Sequence, residues 1–176
     1  MSVFLTDADT TVAAGRRLAD LLRAGDLVVL TGGLGAGKTT FTRGLGEGLG
    51  VRGAVTSPTF VIARVHPSLV GGPELVHVDA YRLGGSAELD DLDLDSELDE
   101  AVTVVEWGAG LVEGLADDRL EITLVADPET EERTLAATGI GPRWADVDVE
   151  AHLQAAAGAS SSGAPAPTTP DEGGTP

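Results

Sequence analysis

The chain has no cysteine, no asparagine and a single lysine, and aromatic residues make up 3% of its 176 positions. Without cysteine there are no disulfides, no thiolate zinc sites and no cysteine nucleophile. With so few aromatics the core is filled by Val, Leu, Ile and Ala, which suits a buried parallel sheet packed by helices. The lack of asparagine and of a second lysine removes the Asn-Lys-x-Asp element with which a regulatory GTPase reads guanine. No stretch approaches about 18 uninterrupted apolar residues, and no basic segment precedes an apolar run at the N-terminus. A cytoplasmic protein with no membrane contact is therefore expected. Cations are scarce as well: eleven Lys and Arg face 29 Asp and Glu, for a net charge of −18. Such a surface repels phosphate backbones, so nucleic-acid binding by the chain alone is expected to be weak.

What is present is enough for one α/β domain: 42% hydrophobic residues in runs that alternate between strand and helix periodicity. "SVFLT" reads as a short strand. "DADTTVAAGRRLADLLRAG" reads as a helix carrying Val12, Leu18, Leu21 and Leu22 on one side and ending at Gly25. "DLVVLTG" is a buried strand, and a glycine loop joins it to a helix in which Phe41, Leu45 and Leu49 recur every four residues. "VIARVH", "LVHVDAYR" and "AVTVVEW" follow as strands, with a Gly-Pro turn between the first two. "GAGLVEGL" reads as a short helix, and "RLEITLVAD" and "RTLAATG" as an antiparallel hairpin on the sheet edge.

Residues 88–100 hold eight acids in thirteen positions, a pattern for short helical turns with a solvated face rather than one long helix. "PRWADVDVEAHLQAA" is expected to carry a terminal helix that turns Trp144 and Leu153 inward. The chain thus divides into a domain over 1–140, a possible helix within 141–157 and a Pro/Ser/Gly/Ala tail over 158–176 with little to bury. The fold class expected is a three-layer, P-loop NTPase-like α/β fold with a mostly parallel central sheet and a C-terminal antiparallel hairpin.

The chemistry starts at Gly32. Gly32, four residues, then Gly37, Lys38 and Thr39 fit GxxxxGK[ST], between an apolar strand and an amphipathic helix as that motif requires. Glycines let consecutive backbone N–H groups form an anion nest, and the helix start adds partial positive charge. Lys38 then reaches the β- and γ-phosphates as a point charge, and the Thr39 hydroxyl ligates Mg²⁺.

Two acids end strands downstream, Asp79 in "LVHVD" and Glu106 in "AVTVVE". Each alone reads equally as an ordinary strand-end acid. With the loop, the two form a metal-holding and water-activating pair. "TSPTF", Thr56 to Phe60, reads either as a plain turn or as a proline-stiffened turn whose hydroxyls sense a γ-phosphate. Trp107 either stacks on a ligand or packs. His77 has no second histidine at ligand spacing and reads as a strand residue facing a helix, not as a metal ligand.

Taken in order, "GGLGAGKTTF", "TSPTF", "HVDAYRL" and "VTVVEW" resemble the TsaE family (older name YjeE), over roughly residues 5–140. The resemblance implies an ATPase of bacterial tRNA threonylcarbamoyladenosine synthesis, working with the threonylcarbamoyl transferase TsaD and its paralogue TsaB. It implies ATP and Mg²⁺ as ligands, with tRNA contacted only through the complex.

Residue by residue, the resemblance gives phosphate cradling to Gly35, Ala36, Gly37, Lys38, Thr39 and Thr40, and magnesium to Thr39, Asp79 and Glu106. It also gives catalysis to Lys38, Asp79 and Glu106. Trp107 becomes part of the site, and Thr10, Thr11 and Arg133 lie where similar proteins approach the nucleotide base. Two positions depart from the family pattern: Gly33 stands where an Asp is usual, and Ala109 where a Glu is frequent. A small-molecule kinase is the alternative on the same loop, but no segment after Trp107 supplies the clustered arginines of a kinase lid.

Overall fold

Apolar runs make the strands of this chain, and glycines separate them. The computed structural model describes residues 2–58, 63–82, 99–112 and 114–157. Residues 59–62, most of the acidic run (88–98) and the 158–176 tail lie outside the described residues. The strands are β1 (Val3–Leu5), β2 (Leu27–Thr31), β3 (Ala63–His66), β4 (Glu74–Asp79), β5 (Ala101–Glu106), β6 (Arg119–Ala126) and β7 (Arg133–Ile140). The α-helices are α1 (Ala8–Leu18), α2 (Lys38–Leu49) and α3 (Val149–Ala157).

One seven-stranded sheet runs in the order β1-β7-β6-β2-β5-β4-β3. Its four central strands β6, β2, β5 and β4 are parallel. β5 is buried at every position and β4 at all but its first, as expected for strands covered on both faces. Antiparallel pairings attach β3 to β4, β7 to β6 and β1 to β7. The expectation of a mostly parallel sheet therefore holds only for the centre, since three of the six pairings are antiparallel. The β6–β7 hairpin is not an edge either. β1 adds outside it, setting Val3 opposite Leu135 with both side chains fully buried.

Asp7 starts α1 with a capping box: its carboxylate accepts from the Thr10 N–H at 2.7 Å, and the Thr10 hydroxyl accepts from the Asp7 N–H at 3.0 Å. These bonds hold the Asp7 carboxyl below the usual carboxylate range. The helix stops at Leu18 and tightens into a 3₁₀ turn over Ala19–Leu21, short of the expected end at Gly25. Distant residues set that stop. The Arg143 guanidinium donates to the Leu21 carbonyl at 2.6 Å and to both oxygens of buried Asp26 at 2.9 Å, while Asp26 also accepts from the Arg23 N–H.

α1 lies against α2 with backbone touching backbone. A Cβ at Gly15 would stand 2.1 Å from the Phe41 carbonyl oxygen, and one at Gly44 would stand 2.0 Å from that of Val12. Gly44→Ala forces these helices apart and is expected to lower the Tm by roughly 4–10 °C, equivalent to about 1–3 kcal/mol of overpacking in a chain of this size. Thermal melting followed by circular dichroism reads this directly, and an unchanged Tm would show that the helices separate at no cost.

Both faces of the sheet are covered, but differently. Among the described residues the helices pack on one face, around Leu18, Phe41, Leu45 and Leu153. The other face, with Leu27, Val29, Val76, Val78 and Val105, is covered by Leu111, Val112 and Leu115. Where a short helix is expected over 108–115, the described residues 108–112 and 114–115 hold turns, with the Leu111 N–H on the Gly108 carbonyl and the Leu115 N–H on that of Val112. Gly110 at φ +84° interrupts any helix there. A helical third layer is thus not seen among the described residues. Trp144 and Leu153 do turn inward, but from two elements: Trp144 sits on a 3₁₀ turn over Pro142–Trp144, and α3 begins at Val149. Among the described residues no helix is long and apolar enough to cross a membrane.

Candidate functional site

Three parallel strands end at one level. The register sets Leu30 of β2 and Asp79 of β4 opposite Glu106 of β5, so the chain leaving β2 and the last residues of β4 and β5 meet. Open α/β sheets leave their crevice at such carboxyl ends. A cavity of about 300 Å³ opens there. It is lined by Gly35, Gly37, Lys38, Thr39, Thr40, Asp79, Glu106 and Arg133, together with Leu34, Ser57, Tyr81 and Trp107.

The loop from β2 into α2 depends on two glycines in particular. At Gly32, φ +152°, a Cβ would stand 2.3 Å from the Leu124 carbonyl oxygen. Gly37, φ +100°, is the N-cap of α2, and the space its Cβ would fill lies 3.0 Å from Arg133 Nε. Gly37 gives α2 no side-chain cap, so the first N–H groups of the helix have no side-chain acceptor from it. A helix start of that kind favours an anion.

Lys38 is 5% exposed. Its ammonium donates to the carbonyls of Gly32 at 2.8 Å and Gly33 at 3.0 Å, and lies 3.7 Å from the centroid of the Trp107 ring. Burial pushes Lys38 below the ordinary lysine range, and the nearby Glu106 and Asp79 carboxylates oppose that shift. Trp107 reaches this position with φ +63°, the one positive φ outside glycine among the described residues. Its N–H is fixed to the Leu30 carbonyl, and the Tyr81 ring lies 5.1 Å away at a 55° tilt.

Both carboxylates are almost wholly buried. Glu106 accepts from the Thr39 hydroxyl, 2.9 Å from Oε1 and 3.2 Å from Oε2, and its Oε1 is also 2.9 Å from His77 Nε2. Asp79 accepts from the Ser57 hydroxyl at 3.2 Å and from the Tyr81 N–H at 3.0 Å.

The structure thus brings Gly35, Gly37, Lys38, Thr39, Thr40, Asp79, Glu106 and Arg133 to one cavity. Ala36 is buried beneath the loop, outside the lining. Thr10 and Thr11 also lie outside the lining: Thr10 closes the capping box, and the buried Thr11 hydroxyl donates to the Asp7 carbonyl at 2.8 Å. At Gly33 a Cβ would meet none of the described residues within 4 Å, and Ala109 is exposed, so neither departure from the family pattern disturbs packing among the described residues.

Sequence reasoning gave no role to Leu34 and Tyr81, and it read His77 as a strand residue facing a helix without its partner Glu106. Leu34 stands 97% exposed at the loop tip, Tyr81 stacks toward Trp107, and His77 grips Glu106. The alternation of β4 held one usable signal, since it places His77 on the same face as Leu75 and Asp79.

A model for Threonylcarbamoyl adenosine biosynthesis protein TsaE matches residues 5–135. The chain belongs to the TsaE family. The tRNA threonylcarbamoyladenosine biosynthesis protein TsaE of Streptomyces coelicolor is 68% identical over 139 residues, covering 77% of this chain and 94% of that protein. The Bacillus subtilis protein of the same name is 38% identical over 137 residues, 77% of this chain and 84% of its own. The crystal structure of Bacillus subtilis YdiB superposes with a TM-score of 0.67 at 30% identity, covering 91% of this chain and 95% of that one. The TsaE match ends within β7, so Trp144 and α3 lie beyond it.

Proposed function

We propose that this TsaE-family chain is a Mg²⁺-dependent ATPase of tRNA threonylcarbamoyladenosine synthesis, using ATP binding and hydrolysis to reset the transferase formed by TsaD and TsaB. The observation that carries this reading is the meeting of the glycine loop and Lys38 with two buried strand-end carboxylates, one of them bonded to Thr39. Lys38 and the start of α2 supply the positive charge that a triphosphate needs.

The donor set suits Mg²⁺: a hydroxyl and two carboxylates are hard oxygens, and this ion takes one or two carboxylates with the rest from water and phosphate. Among the described residues no group of three His, Asp or Glu is arranged to hold a metal without such help. Thr39, Asp79 and Glu106 would hold the ion, which when bound neutralises charge developing on the phosphates. Glu106 is then the group placed to orient and deprotonate the attacking water. Arg133, over Gly37, adds a second cation to the cavity wall. It is the one arginine of that described lining, too few for the lid of a small-molecule kinase.

With a charge of −18 this subunit is not built to hold tRNA, so TsaD and TsaB present the RNA and this chain supplies the nucleotide-driven step. The test is tRNA modification with purified TsaD and TsaB, with phosphate release from ATP and from GTP measured in parallel. The wild-type chain is expected to release phosphate from ATP and to sustain many rounds of modification, while Lys38→Ala allows at most the first. Sustained turnover with Lys38→Ala would end the reading.

A further inference from the structure

Glu106 is held from the protein interior by a residue that phosphate chemistry alone does not call for. His77 is fully buried on β4, and its Nε2 lies 2.9 Å from Glu106 Oε1. Its other ring nitrogen, Nδ1, is buried and has no hydrogen-bond partner among the described residues. A buried polar atom left unpaired is costly, and fully buried Leu75, on the same face of β4, shows that this face accommodates an apolar residue. The contact with Glu106 is what offsets that cost.

The same arrangement selects the tautomer. Hydrogen on Nε2 gives the carboxylate a donor and leaves only a lone pair unpaired at Nδ1. The reverse tautomer would set a lone pair against Oε1 and bury an unpaired N–H. Glu106 Oε1 therefore receives two donors, His77 from the interior and Thr39 from the cavity side. Held only by Thr39, the carboxylate would be free to swing about a single hydroxyl.

We propose that His77 is the positioning residue of Glu106, its Nε2–H fixing the carboxylate plane from within the sheet; this rests on the reading of Glu106 as the acid of ATP hydrolysis. A ligand of a ligand acts on orientation, and the loss of such second contacts costs about 10–100-fold in activity in metal sites of comparable build.

The test uses the full chain with His77→Leu and His77→Gln, measuring ATP turnover and ATP binding after circular dichroism has established folding. Leu fills the volume without a donor, whereas Gln carries an N–H at about the reach of Nε2. His77→Leu is expected to lower kcat about 10–100-fold with KM for ATP changed by less than about threefold, and His77→Gln to recover most of that loss. Wild-type kcat in His77→Leu overturns the proposal, as does equal loss in both folded variants, which would mark a packing role only. Nitrogen NMR of the imidazole in the unsubstituted chain gives a second reading, independent of how the variants fold. An Nε2–H tautomer whose signals shift in Glu106→Gln supports the contact, and an Nδ1–H tautomer overturns it. A wild-type chain that turns over no ATP sinks the hydrolysis reading and this inference together, and it shows before any substitution is made.

Discussion

Lys38→Arg is expected to weaken ATP binding nearly as much as Lys38→Ala, although it keeps the charge. Lys38 is 5% exposed, with its ammonium between the carbonyls of Gly32 and Gly33 at 2.8 and 3.0 Å and under the face of Trp107 at 3.7 Å. That space fits a compact point charge. A guanidinium is a wider rigid plane with its donors splayed, and entering this space would push apart the loop between β2 and α2 that we propose cradles the phosphates. Losing the ammonium removes charge-assisted bonds worth about 3 kcal/mol or more in total, so both variants should bind ATP at least about 100-fold more weakly. Calorimetric titration with ATP checks this, and an arginine variant within threefold of wild type would refute it. The same geometry accounts for the one lysine among eleven cations, since it stands where arginine does not fit; the ten arginines elsewhere follow a general arginine-for-lysine bias of the chain.

Lys38 also predicts a proton signature. Burial holds it below the ordinary lysine range, and a triphosphate brought against it favours the charged form. Binding therefore raises its pKa. Below the lowered value the group is protonated before and after binding, so no proton moves; above it, on the alkaline side, binding takes up protons. Calorimetry in buffers of differing ionisation enthalpy should show that uptake in the wild type and none in Lys38→Ala.

The local elements of this fold were legible because each depends on near neighbours. Apolar runs of four to six residues ended by Gly, Asp or Glu identify β2, β4 and β5, and the four-residue spacing of Phe41, Leu45 and Leu49 identifies α2. The residues of the phosphate-loop pattern Gly35, Gly37, Lys38 and Thr39 and the strand-end acids Asp79 and Glu106 line one cavity. What stayed hidden depends on pairings between distant residues. Nothing near Leu22 announces that Arg143 will draw Asp26 and the Leu21 carbonyl together and stop α1 early. Nothing in "SVFLT" says that it will cover the edge of a hairpin some 130 residues later. His77 looked isolated for the same reason, since its partner Glu106 becomes a neighbour only once β4 and β5 lie side by side. The helix expected over 108–115 fails for a different reason, since its apolar spacing meets Gly110 in the left-handed region at φ +84°.

Glu106→Gln is expected to lower ATP turnover by about 10²–10⁴-fold, the range for loss of a positioned general base, while ATP affinity changes by less than about tenfold. Glutamine is the informative substitution because its amide oxygen still accepts from the His77 Nε2–H and the Thr39 hydroxyl at the place of Oε1, so the shape survives and only the basicity and charge are lost. Glu106→Ala confounds the two effects. It would leave both buried ring nitrogens of His77 without a partner among the described residues, adding about 1–3 kcal/mol of instability that has nothing to do with chemistry. Comparison with Asp79→Asn then assigns the acid. Asp79 is already engaged by Ser57 and the Tyr81 N–H, a setting that orders the turn above the cavity. If Glu106→Gln turned over ATP normally and Asp79→Asn did not, the base would be Asp79. In the complete system Glu106→Gln should permit the first round of tRNA modification and block later ones, because ATP still binds but the reset that hydrolysis drives does not follow. Equal loss of the first and later rounds would place hydrolysis inside the transfer cycle rather than between cycles.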